Sequence, residues 1–106
     1  MELHDFDDFV ATELERIRKR TEISDHREFT LAQMIKISEE QGELADAILS
    51  MFSLQRKEKQ EVFDTSNVKE EIADVIITAW LLAKSLDIPV DQALEEKMEK
   101  IKKRDY

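Results

Sequence analysis

Apolar residues recur every three or four positions along most of this chain, which is the spacing of an amphipathic α-helix. Asp25 and Asn67 are each followed three residues later by a glutamate, an arrangement typical of a helix start. Pro89 interrupts the last apolar stretch, because proline is tolerated only in the first turn of a helix. The helices that this pattern predicts cover about 5–19, 25–61, 67–86 and 90–104, with 55–61 either a solvated extension of the second helix or its frayed end.

The apolar stripes also predict which residues face the interior. Ile77, Trp80 and Leu81 widen the stripe of the third helix, so we expect this helix to be central and covered on most sides. The other residues that we expect to face inward are Phe6, Phe9, Val10, Leu14 and Ile17 in the first helix; Leu31, Met34, Ile35, Leu44, Ile48, Met51 and Phe52 in the second; Ile72, Val75, Ile76, Ala79, Leu82, Ala83 and Leu86 in the third; and Ala93, Leu94, Met98 and Ile101 in the fourth.

The composition supports helices and one domain. The chain contains one glycine and one proline, which leaves little room for the many tight turns of an all-β fold. Its 106 residues are the length of one ordinary domain, so we predict a single all-α domain over 1–106, a four-helix bundle-like subunit. Four helices of this size carry more apolar surface than one small core can cover, and we therefore expect a homodimer or a dimer of dimers.

The charge balance and the amino-acid content exclude several classes of partner and of site. With 25 acidic and 16 basic residues, the formal net charge is -9, which repels a nucleic-acid backbone. The chain has no cysteine, which excludes disulfides, thiolate metal sites and cysteine nucleophiles. The first residues do not resemble a signal peptide, and the longest apolar run, 72–83, is interrupted by Asp74 and too short to span a membrane. We expect a cytoplasmic protein that binds neither nucleic acid nor membrane.

Two acidic motifs carry the candidate chemistry. Residues 39–43 and 70–74 both have the form Glu-Glu-x-x-acid. Helical residues three apart share a face, so Glu40 with Glu43, and Glu71 with Asp74, each form a pair of neighbouring carboxylates. If two such pairs face each other in a bundle, they need a cation to offset their repulsion. Oxygen ligands of this kind favour magnesium, calcium or manganese.

The ordinary interpretation of each acidic motif is a solvated helix face. Three features favour a site: the motifs recur on consecutive helices, apolar residues flank both, and Gly42 lies within a helix, where glycine costs about 1 kcal/mol relative to alanine. A glycine there predicts the close approach of another backbone or of a ligand. A di-iron carboxylate bundle requires Glu-x-x-His pairs, which neither His4 nor His26 completes.

With these motifs, the sequence resembles the MazG-like all-α nucleoside triphosphate pyrophosphohydrolases, whose pattern is an EExxE helix followed by an ExxD helix. The resemblance covers about 31–104 and includes Ala93 to Lys100 in the last helix. It implies Mg2+, with Mn2+ as a substitute, and a nucleoside triphosphate substrate that is hydrolysed to the monophosphate and pyrophosphate. The ligands it implies are Glu40, Glu43, Glu71 and Asp74.

The resemblance also implies roles for residues around the metal. Glu39 is either a further ligand or the catalytic residue that orients the attacking water. Family members commonly have Lys-x-x-x-Asn-x-x-Arg in the last helix; this chain keeps Lys97 and Arg104 as substrate-binding candidates but has Ile101 at the asparagine position. The alternative role of those two cations is to complement the helix dipole.

Lys36 lies one turn before Glu40 on the second helix. It is a candidate for contact with the substrate phosphates, or it forms an ordinary ion pair with Glu40. Trp80 does not share the face of Glu71 and Asp74, so we assign it to packing and not to the site.

The activity that we favour is removal of nucleoside triphosphates, noncanonical or deoxy ones included, as nucleotide-pool house-cleaning. Phosphoribosyl-ATP pyrophosphohydrolase is an alternative with the same chemistry. A non-catalytic helical interaction module, in which the acidic clusters are surface charge or pair with a basic partner, is the alternative from another class.

Overall fold

A computed structural model of the chain describes residues 1–52 and 65–105. These residues form four helices: α1 (Leu3–Thr21), α2 (His26–Phe52), α3 (Ser66–Ser85) and α4 (Val90–Lys102). No strand occurs within the two described ranges, so the all-α prediction is confirmed there. The predicted solvated or frayed segment 55–61 lies outside the described residues. No helix in 1–52 or 65–105 is both long and apolar enough to cross a bilayer.

Two of the three predicted helix boundaries are confirmed and one is wrong. At the start of α2, the Asp25 carboxylate accepts a hydrogen bond from the backbone N–H of Arg27 at 3.2 Å, as the capping pattern predicts. Pro89 is the N-cap of α4, so the predicted break is also confirmed. The start at Asn67 is wrong, because the N-cap of α3 is Thr65 and Asn67 already lies in the first turn.

The apolar core lies where α1, α2 and α3 meet. It consists of Val10 and Leu14 from α1, Phe29 from α2, and Trp80 and Leu81 from α3. The four residues from α1 and α3 lie on predicted inward stripes, whereas Phe29 does not belong to the stripe predicted for α2. Helix α3 contacts each of the other three helices, which confirms its central position.

Asp7 fixes α1 to α3 beside this core. The indole Nε1 of Trp80 donates a hydrogen bond to Asp7 Oδ1 at 3.1 Å, and Lys84 Nζ donates one to Asp7 Oδ2 at 2.7 Å. The Phe6 ring meets the indole edge-on, with 4.7 Å between the ring centroids. Trp80 is therefore a packing residue, as predicted, and its N–H is satisfied within the chain.

The prediction of inward stripes is wrong for α4 and for parts of the other helices. No residue of α4 is buried, because this helix packs mainly against α3 and no other described element covers its apolar stripe. The predicted inward residues that are exposed in the described part of the chain are Phe9, Leu31, Met34, Ile35, Ile48, Phe52, Ile72, Ile76, Ala79, Leu86, Ala93, Leu94, Met98 and Ile101.

Candidate metal centre

The acidic motifs face each other because α2 and α3 run side by side in opposite directions. Phe29, near the start of α2, shares the core with Trp80 near the end of α3, and Glu40 is likewise close to Glu71. The α2 face that packs on α3 is marked by Phe29, Gln33, Glu40 and Ala47, which are buried and recur at helical spacing. A carboxylate is therefore built into an interior helix face.

Three glutamates converge at this position. One carboxylate oxygen each from Glu40, Glu43 and Glu71 lies within 4.8 Å of the other two. Glu40 is only 6% exposed, Glu71 is half-buried and Glu43 is exposed, so the group opens from the helix interface towards solvent. We call these three residues the carboxylate cluster. Negative charges this close repel each other, and the repulsion is strongest at the buried end.

Two oxygens of the cluster lack the partners that buried carboxylates need. Glu40 Oε2 and Glu71 Oε2 are buried and have no hydrogen-bond partner among the described residues. A buried charged group without a partner costs on the order of 1–3 kcal/mol or more. A divalent cation bound by oxygen ligands would satisfy both atoms and offset the repulsion. The residues present therefore fit a hard divalent cation.

Lys36 interacts with the other oxygen of Glu40. Its Nζ lies 3.3 Å from Glu40 Oε1 and 3.5 Å from Glu39 Oε2. The hydrogen bond to Glu40 raises the pKa of Lys36 above its usual value, against the opposing effect of burial, so the lysine is charged at neutral pH. The predicted ion pair between Lys36 and Glu40 is therefore formed in this structure.

Asp74 and Glu39 lie beside the carboxylate cluster without joining it. Asp74 is half-buried, one turn after Glu71, and its backbone carbonyl accepts a hydrogen bond from Thr78 Oγ1 at 2.8 Å. Glu39 is exposed and paired with Lys36. The structure thus brings together three of the four expected ligands.

The prediction that another backbone approaches Gly42 is wrong within the described part of the chain, and the close approach of a ligand stays a prediction. No described atom lies within 4 Å of the position that a Cβ on Gly42 would take. The reason is rotation about the helix: Gly42 follows Glu40 by about 200°, and so lies on the side of α2 away from α3. Neither a described backbone nor a crowded site requires glycine there.

The candidate phosphate-binding residues of α4 are exposed. Lys97 and Arg104 lie on or just after a helix that begins near the end of α3, whereas Glu71 lies near the beginning of α3. Their contact with substrate stays a prediction.

A pocket of about 470 Å³ lies at the opposite end of α3 from the carboxylate cluster. It is lined by residues from the start of α1, the end of α3 and the α3–α4 turn, including Asp7, Trp80 and Lys84. Trp80 is about 13 Å from Glu71 along the helix axis. Trp80 and Lys84 both already donate hydrogen bonds to Asp7, so we take the carboxylate cluster, and not this pocket, as the candidate site.

Comparisons with known proteins identify the family of the chain. The family model described as the MazG nucleotide pyrophosphohydrolase domain matches residues 29–106, which include the whole carboxylate cluster and leave out α1. A relative from Bacillus subtilis (strain 168), described as uncharacterized protein YpjD, is 37% identical over 75 residues, or 71% of this chain and 66% of the relative. The match thus spans slightly less than two thirds of that relative. No solved structure matches the chain.

Proposed function

The chain belongs to the MazG nucleotide pyrophosphohydrolase domain family, and on that premise we propose that it hydrolyses nucleoside triphosphates to monophosphate and pyrophosphate with Mg2+. The observation that carries the proposal is a pair of buried oxygens on Glu40 and Glu71 that have no partner in 1–52 or 65–105, within a group of three converging carboxylates. A surface charge cluster would leave its oxygens in water. A non-catalytic interaction module gives no reason to bury them.

The proposed ligands are Glu40, Glu43, Glu71 and Asp74. A bound Mg2+ supplies polarisation of the phosphoryl oxygens and lowers the pKa of a coordinated water, so neither a nucleophilic side chain nor a histidine base is required. Glu39, exposed at the edge of the carboxylate cluster, can accept a hydrogen bond from the attacking water and orient it. We assign to Lys97 and Arg104 the contact with the phosphates, together with Lys36 when substrate is present.

The active form that we propose is a homodimer or a dimer of dimers. The apolar stripe of Leu94, Met98 and Ile101 on α4 is exposed in the single chain, as are Leu31 and Ile35 on α2. Exposed apolar residues repeated along one helix face are typical of a protein–protein interface. A second copy of the chain supplies an equivalent surface with the same periodicity.

The experiment that tests the activity is incubation of the purified protein and Mg2+ with a panel of deoxy- and ribonucleoside triphosphates and phosphoribosyl-ATP. We expect pyrophosphate and the nucleoside monophosphate as products, and no orthophosphate. Hydrolysis of phosphoribosyl-ATP alone would favour the histidine-pathway alternative. An absence of pyrophosphate with every substrate would contradict the proposal.

Two substitutions connect the activity to the carboxylate cluster. Glu71→Gln removes one half-buried charge and one proposed ligand, so we expect pyrophosphate release to fall about 100-fold and the affinity for Mn2+, measured by calorimetry, to fall about 10- to 100-fold. Glu70→Gln is the matched control, because it makes the same chemical change at an exposed neighbour on the same helix. Equal loss in both variants would show that the effect is not specific to the carboxylate cluster.

A further inference from the structure

Lys36 occupies an unusual position next to the carboxylate cluster. Its Nζ contacts Glu40 through Oε1, while Oε2 of the same carboxylate is buried and has no partner among the residues that the structure describes. The Glu40 side chain is 9% exposed, whereas the Lys36 side chain is 51% exposed. One oxygen of the buried carboxylate is therefore bonded to a cation that reaches in from solvent, and the other oxygen is free for a second cation.

We propose that Lys36 is a built-in counter-cation of the carboxylate cluster, which stabilises the metal-free protein and weakens the binding of the divalent ion. This inference rests on the proposed function, since it concerns the same ion. It assigns to Lys36 a role before substrate arrives, in addition to any contact with phosphate.

The metal-free protein needs such a charge. Three carboxylates lie within 4.8 Å of one another, and the buried one is Glu40, to which Lys36 binds. Within 1–52 and 65–105, Lys36 is the only cation that forms an ion pair with a member of the carboxylate cluster. Without it, both oxygens of Glu40 would be unpartnered, and the repulsion from Glu71 and Glu43 would be uncompensated.

The same ammonium group opposes the divalent ion. An ion held by Oε2 of Glu40 would share this carboxylate with the Lys36 Nζ, which lies 3.3 Å from Oε1, and the two positive charges would repel. Because Lys36 is half-exposed, this repulsion is screened by water, and it corresponds to about a tenfold change in affinity. Lys36 thus stabilises the metal-free protein and lowers its affinity for the divalent ion. The lower affinity favours exchange of the ion.

Lys36→Met tests this, because methionine keeps the length of the aliphatic chain and removes the charge. In titrations of the substrate-free protein with Mn2+, we expect the variant to bind about tenfold more tightly than the wild type. In thermal unfolding, we expect it to melt at a lower temperature without metal and to gain more from added Mg2+. If Lys36 only contacted phosphate, its substitution would change none of these measurements, because no nucleotide is present.

Three further variants test whether the effect comes from the charge at position 36. Lys36→Arg keeps the charge and should behave as the wild type, whereas Lys36→Gln should repeat the methionine result with a polar side chain. Lys19→Met lowers the net charge equally at an exposed position on α1, which contributes no residue to the carboxylate cluster, and should leave Mn2+ affinity unchanged. If the wild type binds Mn2+ and Lys36→Met binds it equally or more weakly, the counter-cation role is overturned and the proposed function stands. If the wild type binds no divalent ion, the proposed function itself fails.

Discussion

Glu40 is the residue at which burial and charge conflict most strongly. Its position is fixed by the helical period of α2, which places it on the face that also buries Gln33 and Ala47. A hydrophobic residue there would extend the core. The chain instead has a carboxylate whose two oxygens have different surroundings: one pairs with Lys36, and the other has no partner in the described part of the chain. This difference is the strongest residue-level argument for a cation site, because folding alone gives no reason to bury it.

Asp7 is a half-buried carboxylate beside the core, and each of its two oxygens accepts a hydrogen bond. Hydrogen bonding from Lys84, and then from Trp80, lowers the pKa of Asp7 below its usual value of 3.8. The folded state thus binds the proton less tightly than the unfolded chain does. The stabilisation is fully present above about pH 4 and is lost as the pH falls through the folded pKa.

We expect Asp7→Asn to lower the free energy of unfolding at pH 7 by roughly 0.5–1 kcal/mol, a value kept small because both ionic partners are partly exposed. Asparagine can still accept the hydrogen bond from Trp80. The difference from the wild type should shrink as denaturation is repeated at decreasing pH. Asp8→Asn, an exposed neighbour, serves as the control. A difference that persists undiminished below the folded pKa would show that packing, and not charge, causes the effect.

At the scale of the helices, much of the fold could be predicted from periodicity. The spacing of apolar residues such as Val10 and Leu14 predicts helix α1. The spacing of the acidic residues predicts that Glu40, Glu43 and Glu71 lie on helix faces that can converge. Spacing fixes which face a residue occupies, and not how far its side chain reaches. Asp74 therefore shares a helix face with Glu71, yet its shorter side chain lies outside the carboxylate cluster. The bonds between Asp7 and Lys84 join residues 77 positions apart, and no local pattern contains that information.

Gly42 offers a test of α2 itself. Because a Cβ there meets no described atom within 4 Å, we expect Gly42→Ala to raise the free energy of unfolding by about 0.5–1 kcal/mol through helix propensity. Ala45→Gly, at an exposed position one turn later, should lower it by a similar amount. Both are measured by chemical denaturation of the metal-free protein.

A destabilising effect of Gly42→Ala would indicate a contact that the described single chain does not contain. If alanine destabilised the protein or weakened Mn2+ binding while Ala45→Gly behaved as expected, something outside the described single chain would have to approach Gly42. The original interpretation of that glycine would then hold for an assembly or a ligand.

At the scale of the whole molecule, periodicity identifies an apolar face without identifying what covers it. The stripe on α4 was predicted to face inward, but Met98 is 53% exposed and Leu94 is 46% exposed. Covering such a stripe stabilises a protein through the removal of apolar surface from water, whether the cover comes from the same chain or from another. Within 1–52 and 65–105, the apolar surfaces of α1, α2 and α3 cover one another at their junction, and α4 has no buried residue.

If a second copy covers α4, a charge in the middle of the stripe should separate the subunits. We expect light scattering to give the wild type a mass of two or four times 12.5 kDa, and Met98→Asp the mass of one chain. Gln92→Asp adds the same charge about 160° away around α4 from Leu94, so it should leave the assembly intact. A wild-type mass of 12.5 kDa would contradict the proposed oligomer while leaving the carboxylate cluster, which one chain forms alone, unaffected. Retention of the assembly by Met98→Asp would instead place the interface on another face, with the exposed Leu31 and Ile35 of α2 as the next surface to test.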